Sequence, residues 1–344
     1  MRLGYWQPIF GGWLRNVDDE GMQATWEYNL AVARAAENAG FDVTLIAELN
    51  LNDIKGPEEP TLEAWSTAAA LAACTSRLEI MAAVRPSFHN PALTAKMAAN
   101  IDHISGGRFT LNIVSAWWAD EARRYGVPFD QHEERYARTG EFLRVLKGMW
   151  SEPNFSFEGR YYHVEEGLLS PAPVQKPWPR LYAGGESDTA KELIARECDA
   201  YLMHGDPPEL VAPKIADMRA RRETLGLPSM TYGLAAYCIV RPTEEEARAE
   251  VARITDVRAS SRAYHSYQDF VSKSKLEREV SLEDYSVSNR GLRAGLVGTP
   301  EQVATRIAQF EAVGVDLLLM QSSPQLEEIE RFGREVTSLV RRGA

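Results

Sequence analysis

Cysteine is scarce in this chain. Three thiols, Cys74, Cys198 and Cys238, are spread over 344 residues with no CxxC pair, which argues against a disulfide-framed fold and against a thiolate metal centre. Positive charge is also short. Thirty-eight lysines and arginines face 49 aspartates and glutamates, and the net charge of −11 repels nucleic-acid backbones and anionic lipid surfaces, so neither is an expected partner. Long apolar runs are missing: the longest, at 68–74 and 234–240, fall far below the roughly 20 residues that cross a bilayer. The opening MRLGYWQPIF has no basic stretch ahead of an apolar one, so the expectation is a cytoplasmic protein. GxSxG and HExxH are absent, and the six histidines include no pair at metal-ligand spacing. Serine-hydrolase and zinc chemistry therefore lack support, and no metal is expected. No internal repeat is visible.

What the chain does contain is an alternation of short apolar runs with longer stretches of helical periodicity, the pattern of βα units. The apolar runs fall at 3–10, 41–47, 78–84, 109–115, 179–185, 199–205, 231–241 and 315–322. Helices are expected at about 23–38, closed by Gly40, at 61–73, and at 91–104 with Pro91 in the first turn. Eight near-continuous apolar strands, buried on both faces, close most naturally into an α/β fold of the (β/α)8 TIM-barrel type; a doubly wound open sheet is the alternative. Such barrels form one unit, so residues 1–344 read as a single domain with insertions. One insertion, 150–180, contains the alternating FSFEGRYYHV and reads as a hairpin followed by a proline-rich linker. The largest, about 258–295, lies between strands seven and eight. It reads either as a lid over the barrel mouth or as a solvated excursion.

Barrel chemistry gathers at the carboxyl ends of the strands. The residues there are Glu48, Leu49 and Asn50; Arg85, Ser87, Phe88 and His89; Asn112, Ser115, Trp117 and Trp118; Gly184, Gly185, Glu186 and Ser187; then His204, Tyr237, Gln321 and Ser322. His89 and His204 can each be a satisfied structural group, or together a proton-handling pair at one mouth. The Gly184–Ser187 turn either presents backbone N–H groups to a phosphate at a helix start or is an ordinary turn capped by Ser187, and Glu186 opposes a dianion unless its side chain points away. HEERY (132–136) is either a site segment or a capped first turn. The adjacent tryptophans suit a pocket wall for a flat ligand, or a plain cover for the barrel.

The segments FDVTLIAE, ALTAKMAANIDHISGGRFTLNIVS, HEERY, YAGGESDTA and LVGTPEQVATRI together resemble the bacterial luciferase-like, flavin-dependent monooxygenase superfamily. The resemblance runs in order through residues 3 to 340 and is strongest to the two-component branch of alkanesulfonate, dimethylsulfone and pyrimidine monooxygenases. It implies a TIM barrel, no metal, and FMN in its reduced form (FMNH2) as co-substrate with O2. It also implies a separate NAD(P)H-dependent flavin reductase as partner, a small-molecule substrate, and a homodimer or homotetramer. Carried over by position, Asn112 matches an asparagine beside the flavin ring, Glu48 and Leu49 a segment bordering it, and Glu121 a flavin-contacting glutamate. Arg135 and Tyr136 match a pair near the FMN phosphate, and Ser187, in the turn with Gly185 and Glu186, the serine at the phosphate-binding helix start.

Departures from the family pattern also inform. Ala235 and Tyr237 stand where the alkanesulfonate enzymes have an arginine and a histidine, and Thr61 stands at their cysteine. The missing arginine removes a charge-assisted contact worth about 1.5–3 kcal/mol, so a neutral substrate is expected, although Arg85, Arg290 and Arg293 keep an anion open. The implied reaction is oxygenation with C–S or C–N cleavage of a sulfone, a sulfonate, a nitrogen heterocycle or flavin itself. Asn112, His89, His204 and Tyr237 are the expected catalytic residues, with Trp117, Trp118 and Phe88 as shields against water and 258–295 as a closing loop. The rival readings are a deazaflavin-dependent hydride-transfer enzyme of the same fold and a non-catalytic flavin-binding protein.

Overall fold

A computed structural model describes residues 1–115, 118–256, 267–268 and 281–342. Its strands are β1 (Arg2–Trp6), β2 (Val43–Ile46), β3 (Glu79–Val84), β4 (Phe109–Ile113), β5 (Phe155–Glu158), β6 (His163–Gly167), β7 (Leu181–Gly184), β8 (Ala200–Met203), β9 (Thr231–Val240), β10 (Leu296–Gly298) and β11 (Leu317–Gln321). β5 and β6 form a separate antiparallel hairpin, and β10 extends the edge of β9. The other eight pair in parallel, β9–β11–β1–β2–β3–β4–β7–β8, and β8 pairs with β9 to close the ring. That last ladder excludes the open sheet. Following the strand registers once around returns to β1 displaced by about eight residues, the stagger of an eight-stranded α/β barrel.

The helices pack outside, among them α1 (Trp26–Ala39), α2 (Ala64–Cys74), α3 (Pro91–Ser105), α4 (Ala119–Arg124), α5 (His132–Ser151), α6 (Asp188–Glu197), α7 (Pro208–Thr224) and α8 (Glu244–Thr255). Their ends follow local chemistry. Thr25 caps α1 by accepting from the Tyr28 amide, and Gly40 closes it at a φ of 85°. Asn90 caps α3 ahead of Pro91. No described helix is long and apolar enough to cross a membrane.

The first strand is shorter than the apolar run 3–10 suggests. It ends at Trp6, because Gln7 turns its carboxamide to the Asn29 carbonyl at 2.8 Å and Pro8 has no N–H to continue a ladder. The hairpin within 150–180 is present as expected. α4 and the three-residue β10 add to the expected elements. Of the expected lid, residues 257–266 and 269–280 lie outside the described residues, as does Trp117. The described stretch 281–294 is stitched to the β1–α1 loop, where the Arg15 amide donates to the Ser286 carbonyl at 3.2 Å and Asn16 Nδ2 to Ser286 Oγ at 2.6 Å.

Alternation along the strands and the stagger sort the inward side chains into layers of four, each from alternate strands. Val43, Thr110, Ala200 and Leu317 form the lowest; Gly4, Met81, Tyr182 and Gly233 the next; Leu45, Asn112, Leu202 and Leu319 the third. The uppermost, under the mouth, is Trp6, Ala83, Gly184 and Ala235.

Candidate active site

Two clusters of polar side chains rise from neighbouring strands at the carboxyl end of the barrel, with Asn112 between them. The first is built after β2 and β3. Arg85, 1% exposed, follows β3 and faces Glu121 of α4, 0% exposed. Arg85 Nη1 bonds Glu121 Oε2 and Nη2 bonds Oε1 at 3.1 Å, a bidentate pair, while Glu121 Oε1 also accepts from the Asn50 amide at 2.6 Å. Glu48 Oε2 accepts from the Arg85 amide at 2.6 Å and lies 3.5 Å from Arg85 Nε, and Glu48 Oε1 meets His89 Nε2. The Phe88 ring lies flat beneath the guanidinium, 3.9 Å from its centroid. His89 is the member that reaches solvent, at 16% side-chain exposure. A histidine whose one nitrogen is fixed by a carboxylate has its tautomer set and presents the other nitrogen for proton exchange.

The hairpin braces this cluster. Glu141 of α5 accepts from the Arg160, Tyr161 and Tyr162 amides at the hairpin turn, and the Tyr162 hydroxyl donates to the Pro86 carbonyl at 2.7 Å. Burial pushes the Tyr162 phenol up to about 12, so it stays a donor.

The second cluster follows β4 and β7. Ser187 caps α6, accepting from the Ala190 amide at 3.2 Å. A side chain on Gly185 would put its Cβ 2.6 Å from Ala190 Cβ and 3.2 Å from the Tyr136 hydroxyl, so glycine here admits the phenol. That hydroxyl lies with those of Ser187 and Ser115, and burial, the largest influence on it, raises its pKa and keeps it neutral. Ser115 Oγ is 3.0 Å from Thr139 Oγ1, and a small cavity runs between Ser115, Tyr136, Thr139 and Gly184. Arg135 donates through Nη1 to the Asp130 carbonyl at 3.0 Å and lies over Phe129, but its buried Nε has no hydrogen-bond partner among the described residues.

Lys214 of α7 holds the Glu186 carboxylate at 3.0 Å and also binds Asp206 at 2.9 Å, so the Glu186 charge has a counter-charge beside it. Asp206 in turn lies 3.3 Å from Arg293. Arg85 and Arg293 are thus both engaged by carboxylates, and the Arg290 side chain lies outside the described part.

Asn112 is 7% exposed, and its Oδ1 has no hydrogen-bond partner among the described residues. Since β2, β3, β4 and β7 are consecutive around the barrel, Glu48, His89, Asn112, Gly185 and Ser187 share one side of the mouth, with half-buried Leu49 beside Glu48. His204 stands half-buried beyond β8, two residues before Asp206. Tyr237 is not brought to either cluster. It sits on β9, across the barrel from β3, 1% exposed beneath residues 288–294, and burial holds its pKa well above the ordinary value. Sequence reasoning passed over Trp6, Glu141, Tyr162 and Lys214. Trp6 lies inside the apolar run 3–10, so its place at the strand end was not marked.

A family profile described as luciferase-like monooxygenase matches residues 1–317. The FMNH2-dependent dimethylsulfone monooxygenase of Pseudomonas putida is 36% identical over 351 residues, covering 99% of this chain and 95% of that protein. Among solved structures, the EDTA monooxygenase of Chelativorans sp. BNC1 has a TM-score of 0.80 at 22% identity and covers 100% of this chain and 94% of that one. DmoA from Hyphomicrobium sulfonivorans has a TM-score of 0.76 at 17% identity, with 99% and 87% covered. These two structural likenesses bear on the fold.

Proposed function

The chain belongs to the luciferase-like monooxygenase family, and on that premise we propose that it is an FMNH2-dependent monooxygenase that oxygenates a small neutral sulfone. What carries this reading is the 36% identity to a dimethylsulfone monooxygenase over 99% of the chain. A separate NAD(P)H-dependent flavin reductase supplies the reduced cofactor. For dimethyl sulfone the balance is one sulfone, one O2 and one FMNH2 giving methanesulfinic acid, formaldehyde, FMN and water. One oxygen atom enters a C–H bond beside sulfur and the other leaves as water, and the C–S bond then breaks with its electron pair going to the sulfinate.

The residues fit the cofactor. The N-terminus of α6 with Ser187 and Gly185, the neutral Tyr136 hydroxyl and the Arg135 Nε, unpartnered among the described residues, offer donors to a phosphate, and Lys214 offsets the Glu186 charge. Asn112 Oδ1 offers an acceptor to the ring, beside the Glu48–Leu49 segment. When bound, reduced FMN supplies two electrons to dioxygen.

The chain's own work is positioning, water exclusion and proton handling. His89, held by Glu48, exchanges the proton at its free nitrogen as the oxygenated substrate breaks apart, with His204 as the second histidine of the mouth. Glu121 acts by holding Arg85 and the Asn50 amide in place. Phe88 and Trp118 shield the mouth from water. Tyr237, buried beneath 288–294, positions β9.

Incubation with a flavin reductase, NADH, FMN, oxygen and dimethyl sulfone tests this. Sulfinate and aldehyde should form by mass spectrometry, and replacing FMN by a deazaflavin should stop them. Consumption of NADH and oxygen to hydrogen peroxide alone, or anaerobic turnover with the deazaflavin, would contradict it.

A further inference from the structure

The uppermost layer of the barrel is lopsided. Trp6 stands on one side, and Ala83, Gly184 and Ala235 offer nothing larger than a methyl on the others. The layer below it is Leu45, Asn112, Leu202 and Leu319. By side-chain size, the three small residues leave a shallow hollow beside the indole, above the leucines and Asn112 of the layer below. Gly184 is exposed toward the mouth, so the hollow opens upward.

Two polar atoms in this apolar setting have no hydrogen-bond partner among the described residues. They are Trp6 Nε1, a buried donor, and Asn112 Oδ1, a buried acceptor. Buried polar groups are ordinarily paired, and a buried donor left unpaired favours any ligand that brings an acceptor. The eight side chains of the two layers include no cation, so an anion placed there would have no counter-charge from them. The hollow suits a compact, neutral molecule carrying an acceptor oxygen.

We propose that Trp6 is a specificity-determining residue whose indole N–H donates a hydrogen bond to a sulfonyl oxygen of a small dialkyl sulfone seated on this layer. The inference rests on the sulfone reading above and assigns the substrate its place. It predicts a preference for sulfones over sulfides, which lack the oxygen, and over sulfonates, which bring a charge.

Calorimetric titration of the FMN-loaded protein with dimethyl sulfone reads the inference without turnover, whereas the coupled assay reads the function. Trp6→Phe keeps a ring and removes the N–H. It should raise the Kd for dimethyl sulfone by about 10-fold and leave the Kd for FMN, read by flavin fluorescence, unchanged. Ala235→Leu fills the hollow from the opposite strand and should abolish sulfone binding while FMN still binds. An unchanged sulfone Kd in Trp6→Phe, an equal shift in its FMN Kd, or no sulfone binding by the wild-type protein overturns the proposal. Sulfone binding without oxygenation would instead count against the function.

Discussion

Arg85 and Glu121 are both almost wholly withdrawn from water, which is tolerable only because each satisfies the other. A bidentate pair recovers part of the desolvation of two charges, but removing one partner strands the other in a poorly solvated site. Arg85→Met should therefore destabilise the protein by about 3–5 kcal/mol, read as a lower urea midpoint with little change in slope. Retained stability would mean that Glu121 finds water or another donor. At this scale the sequence is partly legible. Glu48, Gly185 and Ser187 can be singled out because they lie at or just after the ends of apolar runs, and Asn112 as a polar residue inside one, where barrels place chemistry at the carboxyl end. The Arg85–Glu121 pair cannot, since its members are 36 residues apart and meet only through the arrangement of β2, β3 and α4. Trp6 was hidden for a different reason. The apolar run continues to Phe10, so nothing before Pro8 marks Trp6 as a strand end.

The inserted hairpin shows how an element outside the barrel serves the mouth. Its turn hangs on Glu141 of α5, its Tyr162 reaches the carbonyl next to Arg85, and its base packs Phe155 onto α5. Gly148 of α5 lets that ring in, for a Cβ there would overlap it. Helix propensity alone says Gly148→Ala should stabilise by about 1 kcal/mol. Sterics should win, because Phe155 is 8% exposed and has no room to retreat. The expected net effect is a loss of about 1–3 kcal/mol, measured by thermal or urea unfolding, and a gain would show that the hairpin is loosely docked. The alternation in FSFEGRYYHV made the hairpin legible, as continuous apolar runs did the barrel strands. α4 and β10 span six and three residues, too few for periodicity to register, and tertiary contacts decide their form.

For the whole molecule, closure through β8 and β9 puts every strand end on one rim, and that places residues from β2, β3, β4 and β7 around a common mouth. Eight apolar runs suggested a barrel, but an open doubly wound sheet uses the same runs, and only the last ladder separates them. The central claim is that reduced flavin, dioxygen and a neutral sulfone meet at this mouth. The most direct measurement is a single turnover without any reductase: FMN photoreduced anaerobically, mixed with the protein and dimethyl sulfone, then exposed to oxygen. The account predicts a sulfinate yield approaching about one per flavin, with little hydrogen peroxide. Full conversion of the flavin's electrons to hydrogen peroxide, with the sulfone recovered intact, would contradict it.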